Sequence, residues 1–247
     1  MNVTKAFVPS CLCAFVLMTT AAAAQSRSNQ IADQMIEALG GPAFLDVKEI
    51  QISGRFFAFT RGELSGTDAF VDYIRFPDME RTEFGKEKNK TVSINRGNEG
   101  WKIEGKKDPE PQTAGETAEF LSDFKTSFDY VLRFVIRHPQ TTVQTLPGEI
   151  IDFKRTDVVE LRDAAKNRIR FYIDRNSHLP IKMQVRKGND SAVREELFAN
   201  WHKFQGVTTP LLVSRFKDGV KTLEIRAETA SYNSGLSDNL FSAPPVK

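Results

Sequence analysis

Segments in which apolar and polar residues alternate recur along most of the chain after residue 47, and turn signals separate them roughly every ten residues. The segment 168–174 is typical, because Ile169, Phe171 and Ile173 occupy every second position. A period of two is that of a β-strand with one buried face. A long antiparallel sheet with one apolar face twists and curls. The sequence therefore predicts a mainly β fold with some helix, in which the antiparallel sheet curls toward a barrel or half-barrel.

The stretch SINRGNEGWKIEG (93–105) predicts a hairpin within this sheet, with its turn at residues 96–98. Trp101 lies early in the second strand, in phase with Ile103 and alternating with charged neighbours, so it belongs to the apolar face of that strand. Two roles follow for its ring. Core packing is the common role of an aromatic residue in a strand; the alternative is a place near a ligand cavity or on its rim.

Two segments have the helical period instead. In the first, 28–41, Ile31, Met35 and Leu39 form an apolar stripe, and the two glycines that follow favour the end of the helix. The second, 113–139, opens with Thr113 and Glu116 at the spacing of a capping box.

The second helix carries a continuous apolar stripe made of Phe120, Phe124, Phe128, Leu132 and Val135. Its second half is apolar on almost every side, and a helix of that kind must be buried on every side. The sequence therefore predicts one long helix between the two halves of the sheet, covering its concave face.

The N-terminus has the pattern of a secretory signal peptide: Lys5, a short apolar run, and small residues that end at Ala24. We expect residues 1–24 to be removed and 25–247 to form a single domain; the alternative is an uncleaved N-terminal anchor. Both cysteines, Cys11 and Cys13, lie in the predicted signal, so the remaining 223 residues offer neither disulfides nor thiolate metal sites.

Without Lys5 the chain has 33 basic and 32 acidic residues, interleaved, which does not suggest a nucleic-acid partner. The three histidines, His138, His178 and His202, have no metal-binding spacing. Neither a nucleophile elbow nor a glycine-rich phosphate loop is present in the sequence. We therefore predict no enzyme, no catalytic residues, no metal and no cofactor.

Several stretches, in this order, resemble the LolA/LolB-like superfamily of periplasmic lipoprotein carriers. The first is EALGGPAFLDVKEIQISG (37–54), which is similar to the N-terminal start of many secreted relatives. IRFPDMERTEF follows, with Pro77, Asp78 and Arg81 as its strand–turn–strand step, and then the hairpin that contains Trp101. LPIKMQV through GVTTP resembles the later strands, and SYNSGLSDNLFSAPP resembles the closing segment.

The resemblance implies an open half-barrel of antiparallel strands whose concave face is covered by helices and holds acyl chains or another apolar ligand. It also implies a barrel arginine that latches the helical lid, for which Arg55 is the nearest candidate. Asp72 complicates a purely lipid-facing wall. The candidates for the cavity are Phe56, Trp101, Phe120, Phe124, Phe128, Leu132 and Arg55.

Two functions follow from this reading. The first is a soluble periplasmic carrier or binding protein for the acyl chains of lipoproteins or for another apolar lipid. Seventeen of the 19 phenylalanines lie after residue 24, which favours a dry interior. The second is a cell-envelope sensor or interaction module on the same fold, whose partner is an envelope protein. A packed interior without ligand would favour the second function.

Overall fold

The computed structural model describes residues 12–86 and 89–243, with side chains from residue 26 onward. It contains one antiparallel sheet and several short helices. The strands are β1 Glu49–Thr60, β2 Glu63–Arg75, β3 Met79–Phe84, β4 Thr91–Arg96, β5 Glu99–Glu104, β6 Glu110–Pro111, β7 Thr142–Leu146, β8 Ile150–Ile151, β9 Lys154–Arg162, β10 Arg168–Asp174, β11 Pro180–Arg186, β12 Arg194–Phe204, β13 Val207–Lys217 and β14 Val220–Tyr232.

The helices are α1 Leu12–Leu39, α2 Pro42–Leu45, α3 Ala114–Phe124 and α4 Phe128–Tyr130, which continues into a π-helical turn, Val131–Val135. A 3₁₀ turn, Asp238–Phe241, follows the last strand. None of the helices in the described part of the chain is long and apolar enough to cross a membrane.

The strands lie in the order β6-β5-β4-β3-β2-β1-β14-β13-β12-β11-β10-β9-β7, and β8 pairs with β9 beside this row. Strand β1 therefore joins the two halves of the sheet by pairing with β14. The two ends of the row do not pair with each other, so the sheet stays open. The prediction of a mainly β, curled antiparallel half-barrel is confirmed.

The close approach of β1 and β14 depends on Gly54. The register of the two strands shifts between Ser53 and Gly54, which marks a β-bulge. A Cβ atom on Gly54 would overlap the carbonyl oxygen of Arg226 and come within 2.8 Å of the Cα of Ala227. Only a residue without a side chain fits at this contact.

The C-terminal half of the concave face is filled by helix. The apolar side of α1, with Met35 and Leu39 fully buried, packs there together with Phe128, Val131 and Leu132. Opposite them lie apolar residues of β7 and β9–β13: Val143, Val159, Leu161, Ile169, Phe171, Ile173, Met183, Val185, Phe198 and Val207. The apolar stripe predicted for 28–41 is thus confirmed as a core face.

The predicted long helix is interrupted. The capping box of Thr113 and Glu116 is present, but α3 ends at Phe124 and α4 starts at Phe128. At the break, the Thr126 hydroxyl donates to the backbone carbonyl of Ser122 at 2.9 Å, and Ser127 caps the new helix. Both residue types compete with helical hydrogen bonding through their side chains, so they separate the segment into two helices.

The N-terminal half of the sheet is covered on its convex face as well. The turn 238–241 packs there against β3 and β4, with Phe241 1% exposed. Arg75 binds it by donating to the Asp238 carboxylate at 2.6 Å, and Arg81 donates to the carbonyl of Leu240 at 3.3 Å.

Candidate functional site

The N-terminal half of the concave face is not filled in the same way. Register and alternation place Phe56, Phe70 and Phe84 on this face; Phe70 is buried, whereas Phe56 and Phe84 are only partly buried. The rings of Phe56 and Phe84 meet edge to face, with centroids 4.9 Å apart. We call this region, which faces α3 and is lined by Phe56, Phe84, Asp72, Glu80 and Arg215, the concave chamber.

The chamber has a polar side on β2 and β3. Asp72 stands opposite Thr82, whose hydroxyl donates to the Asp72 carboxylate at 2.9 Å. Burial raises the pKa of Asp72 to about 6. Burial, and next the charge of Asp72, raise the pKa of Glu80 well above its ordinary value. The chamber can therefore retain protons on its carboxyl groups near neutral pH.

Two further polar side chains adjoin the carboxyl pair. Arg215 on β13 donates from Nε to Glu196 at 2.8 Å, and the Glu196 charge raises the pKa of Arg215. Asn95 on β4 stands directly opposite Glu80 and is 6% exposed. Its Oδ1 has no hydrogen-bond partner among the described residues. The chamber thus combines an apolar wall with polar groups whose bonding capacity is not exhausted.

Helix α3 crosses the chamber and is held by ion pairs at both ends. Glu116 in its first turn pairs with Lys102 on β5. Asp123 near its end pairs with Lys187, just after β11, and with Arg194 on β12. Partly exposed ion pairs are individually weak, and the break at 125–127 separates α3 from α4, which packs in the core.

An aromatic cluster joins α3 to the body of the domain. It consists of Phe76, Phe120, Phe124, Tyr130 and Phe134, with neighbouring ring centroids 4.9–5.9 Å apart. Phe134 is 41% exposed, whereas Phe124 is buried. The cluster therefore runs from the surface to the inner side of α3.

Some of the predicted cavity residues lie in or beside the chamber, and others are core. Phe56 lines the chamber, and Phe120 is half-buried in the aromatic cluster. Phe124, Phe128 and Leu132 are at most 7% exposed, and the last two belong to the continuous core of the C-terminal half.

Arg55 and Trp101 lie on the convex face, which corrects their assignment to the cavity. Arg55 alternates with Phe56 and is exposed opposite Arg226. Trp101 pairs with Ile94, which is fully buried on the face that the 238–241 turn covers. Directly opposed residues of antiparallel strands share a face, so neither side chain reaches the chamber.

The arginine that joins helices is Arg133, in the π-helical turn. Its side chain is 1% exposed, and its Nε donates to the carbonyl of Phe44 on α2 at 3.0 Å. Its guanidinium lies 3.9 Å from the centroid of the Phe44 ring and pairs with Asp129. The sequence signal was an arginine inside the apolar stretch 128–136. Glu80 and Arg215 had no comparable signal, because they lie in strands that carry several other charged residues.

Clefts occur elsewhere on the described surface. One of about 400 Å³ lies between α1 and the segment 136–143, with Asn29, Asp33 and Arg137 among its lining residues. Among the described residues there is no group of three histidine, cysteine, aspartate or glutamate side chains suited to a metal ion.

Comparisons with known proteins agree with this architecture. No family model and no curated protein matches the chain. Several crystal structures match it. One is a DUF1329 family protein from Desulfovibrio piger (14% identity, TM-score 0.62, 89% of this chain and 97% of that one). Two others are a domain assigned to the outer membrane lipoprotein-sorting proteins from Vibrio parahaemolyticus (12%, 0.56, 88% and 97%) and a LolA superfamily protein from Nitrosomonas europaea (12%, 0.54, 87% and 97%). At these identities the likeness concerns the fold alone, and it shows that the chain has a LolA-like fold.

Proposed function

We propose that the protein is a periplasmic carrier or binding protein for acyl chains of lipoproteins or of another lipid, and that it binds without catalysis. The observation that carries the proposal is the unequal filling of the concave face. Helices α1 and α4 fill the C-terminal half, whereas Phe56 and Phe84 in the N-terminal half stay only partly buried and pack against each other. Apolar side chains that stay partly exposed on a concave surface indicate a contact with another apolar group, such as a ligand.

The aromatic cluster provides a second supporting feature. A chain that enters beside the exposed Phe134 would follow Phe76 and Phe124 to the inner side of α3. Each methylene group removed from water contributes about 0.8 kcal/mol, so a long acyl chain needs an extended apolar surface of this kind. Displacement of α3 about residues 125–127 would lengthen that surface into the chamber.

Phe56 and Phe57 provide a matched pair of variants, because they are adjacent, half-buried and on opposite faces. We expect Phe56→Ser to weaken binding of a fluorescent fatty acid at least several-fold, and Phe57→Ser to leave it unchanged. Equal effects of the two substitutions, with both variants folded by circular dichroism, would contradict the chamber as the site. Mass spectrometry of organic extracts from protein purified from its native envelope would identify the cargo.

A second function, an envelope sensor or interaction module, is favoured by the dense packing of the C-terminal half, where Met35, Leu39 and Leu132 are fully buried. Absence of lipid from the extracts, together with absence of fatty-acid binding, would support this function over the carrier.

Residues 1–24 are proposed to be a signal peptide that delivers the domain to the periplasm. Residues 1–11 lie outside the described part of the chain, and residues 12–24 form the first part of α1. N-terminal sequencing of the exported protein tests the proposal. A start at Gln25 is expected, whereas retention of the segment would indicate an anchor.

A further inference from the structure

The hairpin of β8 and β9 differs from the other tight hairpins of the described sheet. Four hairpins turn through two residues that both have positive φ: Arg61-Gly62, Asp152-Phe153, Gln205-Gly206 and Asp218-Gly219. Three of them have glycine in the second position, the residue that this turn prefers. The fourth has Phe153, at a φ of 62°.

Phe153 is an unfavourable choice for the turn itself. A residue with a Cβ atom is strained in the left-handed region, and a bulky aromatic residue is uncommon there. Glycine or asparagine at this position would form the same turn at lower free energy. The identity of residue 153 is therefore not explained by the requirements of the hairpin.

Burial does not explain it either. The Phe153 side chain is fully exposed, at 103% of its reference area, and Ile150 in the same hairpin is 72% exposed. These two have the largest exposed fractions among the exposed large apolar residues of the described chain. A projecting apolar tip of this kind is typical of a contact with a membrane or another molecule.

The charges around the tip are suited to lipid phosphates. Lys154 and Arg155 follow Phe153 directly and are both exposed. Arg175 adjoins them, because its backbone N–H donates to the carbonyl of Arg155 at 3.0 Å, but its guanidinium pairs with Asp157 at 2.9 Å. Glu149 and Asp152 place two negative charges in the same hairpin, so the tip is only weakly cationic and its apolar residues must supply most of the attraction.

The position of the N-terminal segment in the precursor favours a bilayer as the partner. Arg27 on α1 lies 3.9 Å from Asp157 on β9, four residues from Phe153 and hence about 13 Å along the strand. From Arg27, α1 runs back to Leu12 through the predominantly apolar sequence LCAFVLMTTAAAA. In the precursor, before the proposed cleavage after Ala24, the apolar N-terminal segment and the Phe153 tip therefore leave the domain at the same corner, so a membrane that holds the segment lies beside the tip.

We propose that the β8–β9 hairpin is a membrane-docking element, in which Phe153 and Ile150 insert among phospholipid headgroups while Lys154 and Arg155 contact the phosphates. This interaction does not depend on which ligand the chamber holds. It would give the domain a defined orientation on the bilayer, with the corner at β8–β9 facing the lipid.

Flotation with vesicles of phosphatidylethanolamine and phosphatidylglycerol tests the proposal on protein purified from the cell envelope. Phe153→Gly is the decisive variant, because glycine suits the turn and the fold should be preserved. We expect its vesicle binding to fall by roughly tenfold, the effect of losing one buried apolar side chain. Leu64→Ser is the control, since Leu64 is 60% exposed in a different hairpin, and its binding should match that of the parent.

A second measurement reports insertion directly. Because the chain after Ala24 contains no cysteine, Phe153→Cys and Leu64→Cys can each carry one environment-sensitive dye on processed protein. Vesicles should shift the emission of the dye at position 153 to the blue and leave the dye at position 64 unchanged. The proposal is overturned if the parent does not float with vesicles, if Phe153→Gly floats as the parent does, or if the dye at position 153 does not respond.

Discussion

The rings of Phe128 and Phe198 pack with their centroids 4.8 Å apart, which fixes α4 against β12 at the centre of the domain. Phe128 also faces Phe171 and Trp201, and its side chain is 7% exposed. The start of α4 is therefore part of the core rather than of a movable cover.

Replacement of Phe128 by aspartate should destabilise the protein by several kcal/mol, because it removes the ring contacts and buries a charge without a partner. Urea denaturation followed by circular dichroism measures the change. Phe153→Asp is the control, since the same residue type is fully exposed there, and it should not lower the midpoint. A Phe128→Asp variant that unfolds at the same urea concentration as the parent would show that α4 is exposed.

Gly54→Ala should also be strongly destabilising, because the added methyl group would overlap the β14 backbone at Arg226. We expect a loss of about 2–4 kcal/mol, as for other substitutions that overpack a closely packed contact. Gly66→Ala is the matched control: Gly66 lies on β2, and nothing stands within 4 Å of its added Cβ. Thermal unfolding of both variants distinguishes the close contact from a general effect of glycine replacement.

The carboxyl group of Asp72 should lower stability as the pH rises. Its folded-state pKa of about 6 exceeds the ordinary value of 3.8, so the folded state binds the proton more tightly than the unfolded state does. The contribution of this carboxyl group to the free energy of unfolding therefore declines from about pH 4 through pH 6, and it stays low at higher pH.

Asp72→Asn should remove this decline, since an amide does not ionise and can still accept the hydrogen bond from Thr82. At pH 7.5 we expect the variant to be more stable than the parent by on the order of 1–2 kcal/mol, and near pH 4 the two should coincide. Urea titrations at several pH values provide the comparison. A stability difference that does not change with pH would contradict the raised pKa.

Asp123→Asn should loosen α3 while leaving α4 in place. The substitution weakens the pairs with Lys187 and Arg194, and residues 125–127 separate α3 from the core-packed helix. We expect faster hydrogen exchange at the amides of α3, unchanged exchange at 131–136, and a global loss of no more than about 1 kcal/mol. Glu119→Gln, at an exposed position of α3, is the control for a change of charge. Uniformly faster exchange through 131–136 would show that the two helices move together.

The alternation in the sequence was sufficient to predict the sheet and its curl, but it could not say which face of a strand is concave. Trp101 and Ile94 show the reason. The N-terminal half is covered on both faces, by α3 on one and by the 238–241 turn on the other, so apolar residues occur on both. Alternation does place adjacent residues of a strand on opposite faces of the sheet. It therefore shows that Arg55 and Phe56 cannot line the same cavity.

The polar side of the chamber was harder to predict, because its members come from distant strands. Asp72 stood out as a charged residue within an apolar run. Glu80 and Arg215 lie in segments with many charged residues. In such a segment, no sequence pattern distinguishes a charged residue that faces inward from one that faces solvent. The break in the second helix was hidden for a related reason: the stripe Phe120, Phe124, Phe128 stays in phase across Thr126 and Ser127, so periodicity continues where hydrogen bonding does not.

The pairing of β1 with β14 places the first and last long strands of the domain side by side at the middle of the sheet, where Ile50 stands opposite Tyr232. In the proposed export of the chain from its N-terminus, β1 therefore emerges long before its partner. Strands β1–β5 can form a meander from local contacts, but the two halves of the sheet are joined only when the last strand has left the translocation channel. Under this proposal the domain completes its fold only at the end of export, and any factor that shields β1 must act throughout the interval.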